Sequence, residues 1–163
     1  MRFRADMALE TGVKEVLDNH YPSTLESVDV AEGEILKAAE QAGFDEEDQH
    51  RIGMAVRECM VNAVVHGNRY NRNKKVHVSV SVERLSLSDE KSGQGTRFTI
   101  RITDQGEGFE LDEVPDPLHD TNLLRHSGRG LFLMGAFMDD LKICKAPPAG
   151  TVVTLVKNIS PHE

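Results

Sequence analysis

The segment Glu58-Cys59-Met60-Val61-Asn62-Ala63-Val64-Val65-His66-Gly67-Asn68 sets a carboxylate, a carboxamide and an imidazole four residues apart. At about 100° per residue, four helical steps turn a side chain by only about 40°, so on one helix Glu58, Asn62 and His66 form a polar strip. Ile52, Val56, Cys59, Met60, Ala63 and Val64 supply a buried stripe on the same helix. The polar strip therefore runs along the border of the core, where a cleft can open. A base and a metal ligand held on a rigid helix suit phosphate chemistry. The plainer alternative is that Asn62 and His66 only satisfy backbone groups near the helix end.

Around this helix the chain reads as helices first and sheet second. Phe3, Ala5, Met7 and Leu9 alternate, Val13 to His20 has strand character, and Tyr21-Pro22-Ser23 ends that segment. A helix is expected from about Thr24 to Ala42, with Leu25, Val28, Ile35, Leu36 and Ala39 inward. Gly43 stops it, and Asp45 caps the next, whose first turn carries Glu46, Glu47 and Asp48 at the positive end of its dipole. That second helix is expected to reach about Val65, with Gly67-Asn68 just past its end. Val76, Val78, Val80 and Val82 alternate with His77, Ser79 and Ser81 in a strand over Lys75 to Leu87. Asp89 to Gly95 reads as a hairpin turn, and Phe98, Ile100 and Ile102 as the buried face of the returning strand. Residues 105–127 read as an irregular loop and Gly130 to Met138 as a short helix. Leu141 to Lys145 and Thr151 to Lys157 read as two strands joined by Pro147-Pro148-Ala149-Gly150. The expected fold is α+β: a two-layer α/β sandwich whose mixed, mostly antiparallel sheet is covered on one face by helices.

At 163 residues, with no internal repeat and no linker, a single domain over residues 1–163 is expected. A net charge of -8 opposes non-specific binding to nucleic acid or anionic lipid. No apolar run approaches the ~18 residues that span a bilayer, and the N-terminus lacks a hydrophobic signal region. Cys59 and Cys144 have no metal-ligand spacing, and Cys59 reads as a small core residue; a cytoplasmic setting is the default. The seven histidines are scattered without a HExxH-like pair, which argues against a zinc site.

Three further segments carry chemistry. Asp104-Gln105-Gly106-Glu107-Gly108 follows a strand, where a carboxylate can accept a hydrogen bond from an exocyclic amine and glycines let the backbone approach a flat ligand. Ser127-Gly128-Arg129-Gly130-Leu131 opens a helix, whose outward N–H groups attract anions, with Arg125 and Arg129 as further phosphate contacts. Gly150-Thr151 enters the last strand and suits close approach of backbone or hydroxyl to a ligand. Each segment alone is compatible with an ordinary glycine turn or helix start. No GxxxxGK[ST] occurs, so a nucleotide site here is not a P-loop.

The order of the four segments resembles the ATP-binding domain shared by gyrase, MutL, the large heat-shock chaperones and histidine kinases, the GHKL or Bergerat fold. Glu58-x-x-x-Asn62-Ala63-x-x-His66-Gly67 looks like its N-box, Asp104-x-Gly106-x-Gly108 and Gly128-x-Gly130 like its glycine boxes, and Gly150-Thr151 like its last motif. Within that superfamily the wording Glu-x-x-x-Asn-Ala-x-x-His-Gly-Asn, the short lid and Gly130-Leu131-Phe132-Leu133-Met134 are most similar to bacterial anti-sigma-factor serine kinases. The resemblance spans about residues 14–157. It implies ATP and Mg²⁺ as cofactors, with Asn62 as metal ligand and Glu58 as catalytic base. The implied nucleotide-binding set is Asn62, His66, Asp104, Gly106, Gly108, Arg125, Ser127, Gly128, Arg129, Gly130, Leu131 and Thr151. In that set Asp104 would meet the adenine amino group, Gly106, Gly108 and Thr151 would shape the base pocket, and the lid glycines with Arg129 would close on the phosphates. These kinases carry an arginine just before the lid Ser-Gly; here His126 stands there, with Arg125 one residue earlier.

The function so implied is a cytoplasmic serine/threonine protein kinase, a homodimer that binds a sigma factor or similar regulator and phosphorylates a small antagonist protein. The alternatives are a non-catalytic module in which ATP only orders a partner-binding surface, a histidine-kinase catalytic fragment, and a slow autonomous ATPase.

Overall fold

The computed structural model of the chain describes residues 12–86, 94–106 and 134–159. The alternation at Phe3 to Leu9, the turn from Asp89 to Gly93, the loop from residue 107 to 127 and the start of the short helix at Gly130 lie outside the described residues.

Alternating valines and isoleucines build the sheet. Its strands are β1 (Val13–Pro22), β2 (Lys75–Ser86), β3 (Gln94–Thr103), β4 (Asp140–Lys145) and β5 (Thr151–Ile159), in the spatial order β1-β2-β3-β5-β4. Every pairing among these strands is antiparallel, so the expected parallel component of the sheet is not found among the described residues. The register aligns Val78 with Ile102 and Ile102 with Val153, and one step along aligns Val80 with Ile100 and Ile100 with Leu155. With a side-chain period of two, these residues share one face. All are buried, together with Val76, Val82 and Phe98. The opposite face carries Ser79, Arg101, Thr154 and Lys142 and is polar. Gly95 is the second residue of β3 and not part of the turn, because β2 and β3 stay paired out to Ser86 and Gln94.

Among the described residues, two long helices cover the apolar face. Helix α1 (Leu25–Ala42) begins at Thr24, whose hydroxyl accepts from the Ser27 N–H at 3.3 Å, and ends at Gly43 in the left-handed region (φ 106°). Helix α2 (Glu46–Val61) begins at Asp45, whose carboxylate accepts from the Asp48 N–H at 2.8 Å. Each cap satisfies a donor that the first helical turn cannot satisfy internally. Val28, Ala31, Ile35 and Ala39 of α1 and Ile52, Ala55, Val56, Cys59 and Met60 of α2 are buried against the sheet. Fully burying one branched or aromatic side chain contributes about 1.5–3 kcal/mol. Several such side chains on each helix together exceed a cap, worth about 0.5–2 kcal/mol, so the face and not the ends decides where the helices lie. Leu25 departs from the expected inward set and is 51% exposed. The first turn of α1 overhangs an open groove lined by Pro22, Tyr70 and Lys75, and the inward place in that turn falls to Ser27.

The end of α2 differs from the sequence expectation. The α-helix stops at Val61, and residues Asn62–Gly67 form a π-helical turn, so Gly67 belongs to the turn and Asn68 is its cap. The Asn68 N–H donates to the Ala63 carbonyl at 2.8 Å, an i→i−5 bond that widens the coil by one residue.

Replacing the α1 cap, Thr24→Ala, is expected to lower stability by about 1 kcal/mol, read as a lower urea midpoint with unchanged slope. An unchanged midpoint would mean that the Thr24–Ser27 bond contributes nothing in solution.

Candidate functional site

Asp104 follows β3 directly and is only 6% exposed. Its backbone N–H donates to the Thr151 carbonyl at 3.0 Å, which extends the β3–β5 pairing by one residue. Its Oδ1 accepts from the Gly106 N–H at 2.9 Å and from the Thr151 N–H at 3.2 Å. Three glycines let backbone pack closely around this residue. A Cβ at Gly67 would lie 2.5 Å from the Asp104 Cγ and Oδ2, a Cβ at Gly106 would overlap the Gly67 carbonyl, and a Cβ at Gly150 would overlap the Asp104 carbonyl. Gly150 also adopts φ 118°, a conformation that side-chain-bearing residues rarely adopt. The carboxylate is thus held by β3, β5 and the π turn at once.

Burial raises the Asp104 pKa above the ordinary carboxylate value; the bonds from Gly106 and Thr151 and the charge of Lys74 oppose that shift without reversing it. Cys59, fully buried in α2, is pushed up in the same way, by burial first and by the Asp104 charge second. Cys59 is therefore a core residue, as its position in the apolar stripe suggests, and it also walls the site.

One cavity collects these groups. It is lined by Cys59, Asn62, Ala63, Ile102, Asp104, Met134, Thr151 and Val153, so its walls come from α2, the π turn, β3, β5 and the helical residues 134–137. Asn62, Asp104 and Thr151 come from three separate sequence segments and share this one concavity. Gly106 adjoins it through its bond to Asp104. Glu58 and His66 do not line it. Glu58 is half-buried one turn before Asn62, and His66 is exposed on the π turn. Gly108, Arg125, Ser127, Gly128, Arg129, Gly130 and Leu131 lie outside the described residues.

The residue that sequence reasoning missed is Asn68. It is 1% exposed. Its Nδ2 donates to the Ser23 hydroxyl at 2.9 Å and to the Lys75 carbonyl at 3.1 Å, while its Oδ1 accepts from the Gln105 N–H at 2.7 Å. It therefore ties the π turn to the end of β1, the start of β2 and the residue after Asp104. Arg69 and Tyr70 follow with φ 52° and 58°, a left-handed pair that costs about 1–2 kcal/mol per residue. The Asn68 bonds and the Tyr70 N–H to Val64 carbonyl bond, at 3.0 Å, hold them there. The sequence signals were an asparagine at a helix end, where that residue is common for local reasons, and its place as the last residue of the Glu58–Asn68 motif, neither of which specifies these bonds.

The sequence profile of the histidine kinase-like ATPase domain matches residues 21–157, a span that contains every wall of this cavity. The chain belongs to that family. Within the histidine kinase-like ATPase domains it is similar to the anti-sigma F factor of Bacillus subtilis (strain 168), with 36% identity over 111 residues, 67% of this chain and 68% of the relative. It is also similar to the serine-protein kinase RsbW of Oceanobacillus iheyensis, 27% identical over 155 residues, 91% of this chain and 90% of the relative. Among solved structures, a chain of the SiaB-SiaC complex from Pseudomonas aeruginosa superposes with a TM-score of 0.55 at 11% identity, covering 97% of this chain and 96% of that one. That last likeness is one of fold.

A buried carboxylate with a raised pKa binds its proton more tightly in the folded than in the unfolded chain. Its ionisation therefore costs stability, and that cost disappears as pH falls from the raised value through the ordinary one of 3.8. Asp104→Asn keeps an oxygen for both N–H donors and removes the charge. In the nucleotide-free protein it is expected to melt no lower than wild type at pH 7, with the variant's advantage shrinking on acidification toward pH 3.8. A variant that melts lower at pH 7, or an advantage that grows in acid, would show that the charge stabilises the fold.

Proposed function

We propose that this chain is an ATP-dependent serine/threonine protein kinase of the anti-sigma-factor type, which phosphorylates a small antagonist protein in a partner-switching system. The observation that carries the reading is the convergence of Asn62, Asp104 and Thr151 on one cavity, in a chain whose relatives are named anti-sigma F factor and serine-protein kinase. Asp104, with Oδ1 engaged by two N–H donors, suits a contact from the remaining oxygen to the adenine amino group. Gly106 and Thr151 shape the base pocket around it. Asn62 would hold Mg²⁺, and its donor type fits: a neutral amide oxygen is a hard ligand, and this ion is commonly held by one or two protein groups together with substrate phosphates and water. Bound there, the ion would neutralise charge on the phosphate oxygens. In this reading His66, Gly108, Arg125, Ser127, Gly128, Arg129, Gly130 and Leu131 complete the nucleotide contacts.

Glu58, one helical turn from Asn62 and outside the cavity, serves in this reading as general base. It takes the proton of the partner's serine or threonine hydroxyl as that oxygen bonds to the γ-phosphorus. The bond from the γ-phosphorus to the bridging oxygen breaks and ADP leaves. Transfer of this kind depends on in-line placement and on charge neutralisation more than on covalent chemistry by the protein. The same reading includes a sigma factor or similar regulator as the second partner, a homodimer as the working unit and the cytoplasm as the setting. Among the described residues, no helix is long and apolar enough to cross a membrane.

The test is transfer of labelled phosphate from Mg²⁺-ATP to candidate antagonist proteins, beside nucleotide affinity measured by calorimetry. Glu58→Ala is expected to slow transfer by about 10²–10⁴-fold, the usual contribution of a general base, with nucleotide affinity retained. Asp104→Asn is expected to lose the affinity itself. An antagonist that binds the wild-type protein and stays unlabelled would leave a regulatory module without kinase activity.

A further inference from the structure

The face of the sheet turned away from α1 and α2 carries a second chemical cluster, unrelated to the cavity. Strands β1 and β2 set His20 directly opposite His77. Asp18, two residues before His20, lies on the same face. The His20 and His77 rings stack with centroids 4.3 Å apart and planes inclined by 10°, and His77 Nε2 lies 2.6 Å from Asp18 Oδ1. One ligand atom from each of Asp18, His20 and His77 falls within 4.8 Å of the other two.

We propose that Asp18, His20 and His77 form a surface site for a divalent transition-metal cation of the Zn²⁺ class. Two imidazoles and a carboxylate are the donors such ions favour, and three protein ligands with water in the fourth position is a common zinc arrangement. At metal–ligand distances of about 2.0–2.1 Å, ligand atoms across a tetrahedral ion stand about 3.3 Å apart. The trio must therefore draw together from its present span, and the stacked rings must rotate so that both nitrogens face the ion. Both changes are open to them: the His77 and Asp18 side chains are 38% and 52% exposed, His20 is exposed, and the ring torsion of histidine is soft.

The surroundings favour a cation. Register between β1 and β2 shifts between Glu15 and Leu17, and this irregularity brings Glu15 opposite Ser81, on the same face as Asp18. Glu15 thus adds a second carboxylate to the face that carries Asp18. A cation at the trio would relieve that crowding of acidic groups. It would also clip β1, which among the described strands pairs with β2 alone, to that neighbour, so that binding stabilises the pairing. The scattered histidines, with no HExxH-like pair, argue against a zinc site from spacing alone; strand register unites Asp18 and His77 across 59 residues.

The test is titration of the full-length, nucleotide-free protein with ZnCl2 in a non-chelating buffer, followed by calorimetry and by histidine ring resonances in NMR. One strong site is expected, with the His20 and His77 signals of the wild-type protein moving together. His20→Ala and His77→Ala should each lose at least about tenfold in affinity, the low end of what even an outer-shell change costs a metal site. His50→Ala, which removes an exposed histidine on α2, should bind as wild type does. A titration that leaves either ring unmoved, or alanine variants that lose less than this, would overturn the proposal. The ring signals of the unmodified protein decide the matter even if a variant folds poorly.

Discussion

Asp104 can occupy its position only because two backbones approach it without a Cβ, and a third glycine makes room for one of them. Gly67 lies against its carboxylate, Gly150 against its carbonyl, and Gly106 against the carbonyl of Gly67. These contacts join β3, β5 and the π turn at one point, and the cavity is the space that remains between them. The arrangement keeps a carboxylate where burial disfavours its charge. Such an arrangement is understandable as preparation for a ligand: a buried acceptor that is poorly solvated when alone gains most from a donor that arrives. The fold thus places a charge at some cost, and the proposed nucleotide offsets it.

The π turn is the second half of that constraint. An α-helix continued through Gly67 would carry its end along a different path, and Asn68 could not reach Ser23, Lys75 and Gln105 together. Two of those bonds, to Ser23 and Gln105, span 45 and 37 residues, and no local window of sequence around Asn68 contains them. The α-helical expectation to Val65 fails for this reason. Local periodicity supports either coil, and tertiary hydrogen bonds select the wider one. The same selection settles Asn62, which ends the α-helix and faces the cavity, and His66, which the turn leaves exposed.

Where a pattern repeats, the sequence was legible. The alternating valines of β2, the alternation in β3 and the stripe from Ile52 to Val64 are all buried as their periods require, because burial on one face is a repeated signal. Caps at Asp45 and Gly43 were legible because their chemistry is local. Asp104 and Gly106 could be singled out as candidates, but the reason for the glycines could not, since it is a contact between segments more than thirty residues apart. The His20–His77 pair was invisible for the same cause: strand register, and not spacing, creates it. Membership in the histidine kinase-like ATPase family agrees with the ordered motifs, while the role of each side chain at the cavity belongs to the proposed function.

The most direct measurement is a comparison of ATP with its analogue lacking the adenine amino group, by calorimetric titration of the wild-type protein. If the Asp104 carboxylate receives that amino group, the analogue leaves a buried acceptor without its donor, a loss of about 1.5–3 kcal/mol. It should then bind at least about tenfold more weakly. Equal affinity for the two nucleotides would contradict the account, because the carboxylate held by Gly67, Gly106 and Gly150 would then not be reading the base.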